Sequence, residues 1–467
     1  MFILMIAVFV LGYAMIALEH PLKVNKAATA LMLGAIMWLL FVCSKETLLS
    51  RTDDNGTLTN QEWVKYLEAH PDANNEEGMI NFMIHEQSLL HLGDTSEILF
   101  FLLGAMTIVA IIDKYNGFSI ITNKIKTKSK VKLLWILGIL TFFMSAVLDN
   151  LTTTIVMLAL LRKLIDDKHT RWIFAGTIVL AANAGGAFSP IGDVTTIMLW
   201  VGGQVSTVSI MKMLIFPSLI CLIVPLLILS FIQKGEIGRP TVVENNTSLI
   251  DVKLQKFCFY WGVGSLICVP IIKSFLHVPP YMAMILMLGI FWVLTSILHR
   301  KSSVNHDSKY SVEGILEHID TPTILFFLGI LTAVGALQSA GHLTEMSQFL
   351  NEKVGNVYGI GLTIGVLSSI VDNVPLVAGA IGMYPIEAVG AVGDAANFVQ
   401  DGTFWELLAY TAGTGGSILI IGSAAGVAAM GIEKIDFIWY LKHISWLALL
   451  GYAAGALCYW LIRCCIA

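Results

Sequence analysis

Two stretches of the chain set a carboxylate beside an amide between apolar runs. SAVLDNLTTTIV (Ser145–Val156) carries Asp149 and Asn150, and SSIVDNVPLVAG (Ser368–Gly379) carries Asp372 and Asn373. Two more are rich in glycine and hydroxyls: ANAGGAFSPIGD (Ala182–Asp193) and AGTGGSILIIGS (Ala412–Ser423). From the first half come Asp149, Asn150, Thr152, Thr153, Asn183, Ser189, Asp193, Thr195 and Thr196. From the second come Ser368, Asp372, Asn373, Thr414, Ser417 and Ser423. This is an oxygen-rich set with three carboxylates and no neighbouring Lys or Arg. Hard cations take such ligands, whereas a bound anion calls for Arg, Lys or bare helix N-termini. Burial disfavours an uncompensated carboxylate charge. A small monovalent cation and a proton would therefore compete to neutralise it, with Asp149 and Asp372 the first candidates and Asp193 a third. The plain alternatives are that Asp and Asn cap helices or make turns, and that membrane Ser and Thr bond back to their own helix.

The elements that must hold these residues are membrane helices. The 467 residues are 56% hydrophobic and 13% charged, with a mean hydropathy of +0.77. A soluble protein carries about 25% charged residues. Apolar runs of spanning length recur throughout, so the chain reads as an all-α polytopic membrane protein with the lipid bilayer as its solvent. Strand-period alternation is lacking, which argues against a barrel. Full spans are expected near 2–18, 27–43, 97–112, 211–231, 257–272, 281–298, 323–340 and 444–462. The N-terminal run lacks a positive region before it and reads as a first span, not a cleaved signal. Polar segments fall at 44–96, 113–131, 232–256 and 299–322, and 51–78 reads as a solvated outer loop.

Lys and Arg set the sides. Lys124 with KTKSKVK, then Arg162, Lys163, Lys168 and Arg171, then Arg300, Lys301 and Lys434, mark cytoplasmic segments. The acidic 44–96 and the stretch between Lys353 and Lys434, which has no Lys or Arg, should face outside. Lys132 and Arg162 then lie on one side with two apolar limbs between them. The second limb, 151–161, would be only ~16 Å long as a helix, against about 30 Å of hydrocarbon. It cannot cross. Asp149-Asn150 is thus expected at the tip of a re-entrant hairpin near 132–164, and Asp372-Asn373 at the tip of another near 357–385. Interrupted helices are expected near 172–201 and 404–430.

The halves repeat. ILFFLLG (Ile98–Gly104) returns as ILFFLGI (Ile324–Ile330), VLDN returns as IVDN, and the two glycine-rich stretches share GG and a later IG. Residues 1–231 and 257–467 would form two repeats around a cytoplasmic linker, 232–256. Each would hold about five crossings, a hairpin and a broken helix, and an odd number of crossings inverts one repeat relative to the other.

At these motifs the sequence resembles the NhaD-type sodium/proton antiporters of the ion transporter superfamily, whose relatives include arsenite and dicarboxylate carriers. SAVLDNLTTT, AANAGGAFSPIGDVTT, SSIVDNVPLVAG and GTGGSILIIGSAAG carry the resemblance, which spans essentially the whole chain. It implies exchange of Na⁺ or Li⁺ for H⁺, an elevator-type architecture with scaffold and mobile transport domain, and a homodimer. It further implies functional roles for Asp149, Asn150, Asn183, Asp193, Thr195, Thr196, Ser368 and Asn373, and Glu97 is similar to an acidic position of the family. The dicarboxylate relatives carry Ser-Asn-Thr at their tips where this chain has Asp-Asn. The second broken helix has Gly413 and Ser423 where the first has Asn183 and Asp193, so the halves are chemically unequal.

Other classes fit poorly. No GxxxxGK[ST] occurs, so ATP hydrolysis is not expected here. The seven cysteines form no CxxC or Cys/His cluster, and neither a cofactor nor a nucleic-acid partner is indicated. A sodium-coupled anion carrier of the same fold, for dicarboxylate or arsenite-like ions, is the alternative. An intramembrane aspartyl protease would need Tyr-Asp and Gly-x-Gly-Asp contexts that Asp149 and Asp372 lack. The chain reads as a transporter, not an enzyme, of the bacterial inner membrane.

Overall fold

The computed structural model describes the chain apart from residues 1, 18, 53–57, 59, 123, 124, 126, 239–250, 301–310, 318 and 467. Lys124, Lys301 and positions 239–250 of the expected linker thus lie outside the described residues. The first principal helices are α1 (Phe2–Ala17), α2 (Lys26–Cys43), α3 (Gln61–Ala69) and α4 (Leu89–Lys114). Next come α5 (Lys130–Leu148), α6 (Asn150–Leu164), α7 (Lys168–Ala187), α8 (Val194–Val201) and α9 (Thr207–Ile232). They are followed by α10 (Val252–Leu276), α11 (Pro280–Arg300), α12 (Thr321–Ser339), α13 (His342–Lys353) and α14 (Val357–Leu367). The last are α15 (Asn373–Met383), α16 (Thr403–Gly415), α17 (Ala424–Glu433) and α18 (Ser445–Ile466). Among the described residues the only β pairing is three isolated bridges. Eight helical stretches among the described residues are long and apolar enough to cross a bilayer. The chain is a multi-pass integral membrane protein.

The chain forms two compact units, each drawing on both halves of the sequence. The first comprises residues 1–99, 320–356 and 377–385. Its centre is the packing of α2 on α12, where Gly34 and Gly329 leave room for the two backbones. A Cβ on Gly34 would sit 2.7 Å from the Gly329 carbonyl oxygen, and small residues at such crossings are how membrane helices approach closely. Trp38 Nε1 donates to the Thr332 carbonyl at 2.9 Å across the same seam.

Among its described residues the stretch 51–78 departs from its reading as a solvated outer loop. It folds into short helices, and from Glu76 a single 39-residue helical run continues to Lys114, with a π-helical stretch at Phe82–Ser88. Buried Trp63 packs on Phe82 and Tyr66, with ring centroids 5.1 and 5.6 Å away. Asn75 caps the run by accepting from Gly78 N at 2.9 Å, and Lys45 pairs with Glu76 at 3.0 Å. The amphipathic WVKYL run was the available signal, outweighed by the surrounding Asp, Asn and Glu.

The second unit comprises residues 100–319, 357–376 and 386–467. It contains α5–α11, α14 and α16–α18, and all the tip and break residues. Local chemistry sets the helix starts: Asp167 caps α7 through Thr170 N at 2.7 Å, and Ser206 caps α9 through Ser209 N at 3.3 Å. α9 runs through Pro217 and Pro225 and lies against α18 along its length. Lys273 of α10 caps the far end of α8 by donating to the Trp200 carbonyl.

Candidate functional site

A single residue separates α5 from α6. Asp149 turns the chain there with φ 90° and ψ 158°, a region that side chains enter only under constraint. Its carboxylate supplies part of that constraint by capping α6: Oδ1 accepts from Thr152 N and Oδ2 from Thr152 Oγ1, both at 2.8 Å. The plain reading of Asp149 as a cap is therefore correct as far as it goes. α6 has 15 residues, or ~22 Å, longer than the expected 151–161 yet short of the hydrocarbon thickness. α5, at 19 residues, is by itself long enough to span. The second tip is looser, with residues 368–372 between α14 and α15, and Asp372 Oδ1 accepting from Val374 N at 3.3 Å.

Both interrupted helices break at their glycine-rich stretches. α7 stops at Ala187 and α8 restarts at Val194, capped by Asp193, whose Oδ1 accepts from Thr195 N and Oγ1 at 2.9 Å each. α16 stops at Gly415 and α17 restarts at Ala424, capped by Ser423, which accepts from Gly426 N at 3.2 Å.

The two hairpins and two breaks share one buried polar network. Asn150 Nδ2 donates to Asn183 Oδ1 at 3.0 Å and to Asp193 Oδ2 at 2.5 Å. Asn183 Nδ2 donates to Ser417 Oγ at 2.9 Å and Ser423 Oγ at 2.8 Å. Asn373 Nδ2 reaches Asp193 Oδ1 at 3.5 Å. Asn150, Asn183, Asp193, Asn373, Ser417 and Ser423 are all at most 4% exposed. Asp193, not Asp149, is the carboxylate that both tips reach. Among the described residues neither Asp149 nor Asp193 pairs with Lys or Arg.

The remaining expected residues are placed as follows. Thr152 and Thr195 each donate a hydroxyl to the Asp three or two positions earlier. Thr196 donates to the Asp193 carbonyl at 2.9 Å. Ser368 gives its hydroxyl to the Ala412 carbonyl at 2.8 Å, away from Asn373. Glu97 is half-buried on α4 and belongs to the other compact unit. Ser145 was not singled out, yet it donates to the Ala182 carbonyl at 2.6 Å, the counterpart of Ser368 on Ala412. The pairing VLDN/IVDN would have exposed it, because Ser145 and Ser368 each precede the tip Asp by four residues. Glycines match too: Gly185 lies on the Phe142 carbonyl and Gly415 on that of Gly365.

Among the described residues no three Asp, Glu, His or Cys side chains converge to hold a metal ion. A cation here would instead be held by a mixture of carboxylate, amide, hydroxyl and carbonyl oxygens, which suits a weakly bound, transported ion. An anion would want open helix N-termini. Four meet at this network, those of α6, α8, α15 and α17, and each carries an acceptor from the chain itself: Asp149, Asp193, Asp372 and Ser423.

A polytopic helical protein with a buried polar centre assembled from hairpin tips and broken helices has the layout of a membrane carrier. The model of the family described as citrate transporter matches residues 13–399. The chain belongs to this family, and it aligns over nearly all its length with relatives named as sodium/proton antiporters, the NhaD type among them. Sodium/proton antiporter 1 of Arabidopsis thaliana is 42% identical over 97% of this chain and 71% of its own. Sodium/proton antiporter 2 of the same plant is 40% identical over 97% and 98%. The Na⁺/H⁺ antiporter NhaD of Alkalimonas amylolytica is 29% identical over 96% and 88%.

Proposed function

We propose that the protein is a secondary antiporter exchanging Na⁺ or Li⁺ for H⁺, with the Asp149–Asp193–Asp372 group as the site for which cation and proton compete. The observation that carries this is the occupancy of the helix N-termini. Three of the four ends that could hold a substrate carboxylate are already closed by Asp side chains of the chain itself. A cation or proton arriving there relieves repulsion, whereas an anion adds to it. The names of the antiporter relatives point the same way. Asp193 takes the central part, since Asn150 and Asn373 both donate to it, with Asp149 beside it. Asn150, Thr152, Asn183, Thr195, Thr196, Asn373, Ser417 and Ser423 hold or contribute oxygens, while Ser368 acts from behind the tip.

The hydrogen bond of Ser145 to Ala182 matches that of Ser368 to Ala412, and the approach of Gly185 to Phe142 matches that of Gly415 to Gly365. Both likenesses support two repeats, 1–231 and 257–467, related by inversion. Alternating exposure by an elevator movement, assembly as a homodimer, and residence in an ion-tight energised membrane such as the bacterial plasma membrane belong to the same proposal.

The test is a ΔpH assay in inverted vesicles free of other antiporters. Na⁺ or Li⁺ should dissipate an acid-inside gradient with the wild type and fail to do so with Asp193→Asn and with Asp149→Asn. A wild-type response from Asp193→Asn removes that residue from the exchange. The second reading is a sodium-coupled anion carrier; the family's description as citrate transporter raises it, and the names of the antiporter relatives weigh against it. Citrate uptake driven by Na⁺, with no cation-dependent change in ΔpH, would establish it in place of the first.

A further inference from the structure

Three of the helices that supply the network also meet at their opposite ends. α6 begins at Asn150 and carries Arg162 twelve residues on; α7 carries Arg171 in its first turn and Asn183 twelve residues on; α17 is capped by Ser423 and ends at Glu433. At 1.5 Å per residue these intervals are ~18, ~18 and ~15 Å, so three rods of similar length share both termini. At one end Asn150 donates to Asn183, and Asn183 to Ser423. At the other, Arg162 Nε donates to Glu433 Oε1 at 2.6 Å and Arg171 Nε to Oε2 at 2.7 Å. The Glu433 side chain is fully buried, while Arg162 is 51% and Arg171 22% exposed. The end of α17 is capped by the same partners: Arg162 Nη2 donates to the Ile432 carbonyl, and Trp172 Nε1 to that of Glu433 at 2.9 Å. Arg171 Nη1 ties in the 165–166 loop through the carbonyls of Ile165 and Asp166 at 3.2 and 3.1 Å.

We infer that the Arg162–Glu433–Arg171 triad is a positioning unit for the cation site, setting from ~15 Å away where the tips of α6 and α17 stand relative to Asn183. A buried carboxylate gripped by two guanidiniums fixes geometry through directional bonds. Removing the Glu433 carboxylate takes that anchor on α17 from both arginines, and removing either arginine leaves one oxygen of the buried carboxylate without its charged partner. A slip of α17 along its axis would carry Ser423 away from Asn183, and a slip of α6 would carry Asn150 away from Asp193. Coupling of this kind is reciprocal, so a cation at the network tightens the triad. The role in cation affinity rests on the antiporter reading; the role in holding the tips does not.

Two measurements on full-length protein in nanodiscs and proteoliposomes separate these. In Glu433→Gln, amide hydrogen exchange at 149–154 and 423–427 should accelerate about tenfold, while α12 in the other unit keeps its wild-type rate. Half-saturating Na⁺ in the ΔpH assay should rise about tenfold, with the maximal rate at saturating Na⁺ kept. Glu433→Asp, which retains the charge, should restore part of both. Arg162→Gln, at the most exposed member, repeats the test if Glu433→Gln does not fold. Wild-type exchange at both tips, in whichever variant folds, overturns the inference. A wild type that never responds to Na⁺ overturns the antiporter reading, and the exchange data then decide the triad alone.

Discussion

Asp149 does two things that substitution can pull apart. Its carboxylate caps α6 through Thr152, and its backbone holds φ 90° in territory suited to glycine. Replacement by Asn keeps the capping oxygen, since Asn and Asp are equally good caps, and removes only the charge. Ala loses the cap, about 1 kcal/mol, and keeps the strained backbone. Gly loses the cap as well, but it releases strain of about 1–3 kcal/mol against an entropic penalty of about 0.5–1 kcal/mol. The resulting order of stability is Asn close to wild type, and Gly above Ala by up to about 2.5 kcal/mol on those same terms. If the charge carries the exchange, none of the three variants responds to Na⁺. Thermal unfolding in detergent reads the order, and the ΔpH assay reads the exchange. The reasoning is refuted if Asp149→Asn still exchanges, or if Asp149→Gly unfolds below Asp149→Ala.

Asn183→Ala removes the donor to Ser417 and Ser423 and the acceptor for Asn150. Loss of about 1 kcal/mol for each bond not remade should raise half-saturating Na⁺ at least tenfold in the same assay. Asp167 lies at the exposed start of α7, and hydrogen bonds from Thr170 hold its carboxyl below the ordinary carboxylate range. A depressed value contributes stability that is full above the unfolded value of about 3.9 and fades as pH falls through the folded one. Asp167→Ala should therefore be less stable than wild type at pH 7, with the gap closing below about pH 4 in pH-dependent unfolding. Gly34→Val forces a Cβ against the Gly329 carbonyl and should cost about 1–3 kcal/mol, visible as a lower unfolding temperature with α2 and α12 losing exchange protection first.

The chemistry-bearing positions were legible because membranes make them conspicuous. Asp149-Asn150 and Asp372-Asn373 stood out from apolar flanks, and glycine and proline marked the breaks at 188–193 and 416–423. The hierarchy among the carboxylates was not legible. Local sequence cannot say that Asn150 turns toward Asp193, 43 positions on, while Asp149 turns back to its own helix. The triad was hidden by the same distance. Arg162 and Arg171 looked like loop charges marking a side, and their partner lies 271 and 262 residues away. The stretch 51–78 misled for the opposite reason, because its polar composition concealed Trp63, which is buried.

An amide has two unlike ends, and Asn183 uses both. It receives from Asn150 through oxygen and gives to Ser417 and Ser423 through nitrogen, so the row of bonds has a grain, running from the first hairpin toward the second broken helix. Turning Asn183 over would set nitrogen against nitrogen on one side, so the row reverses only if its members flip together. The two serines, having accepted, keep their own protons to offer. A pair of halves that match in shape therefore differ in what they hand across the middle. Asn183 of the first gives to two hydroxyls of the second, while Asn373 of the second gives to a carboxylate of the first, so an ion settling between them meets two unlike faces.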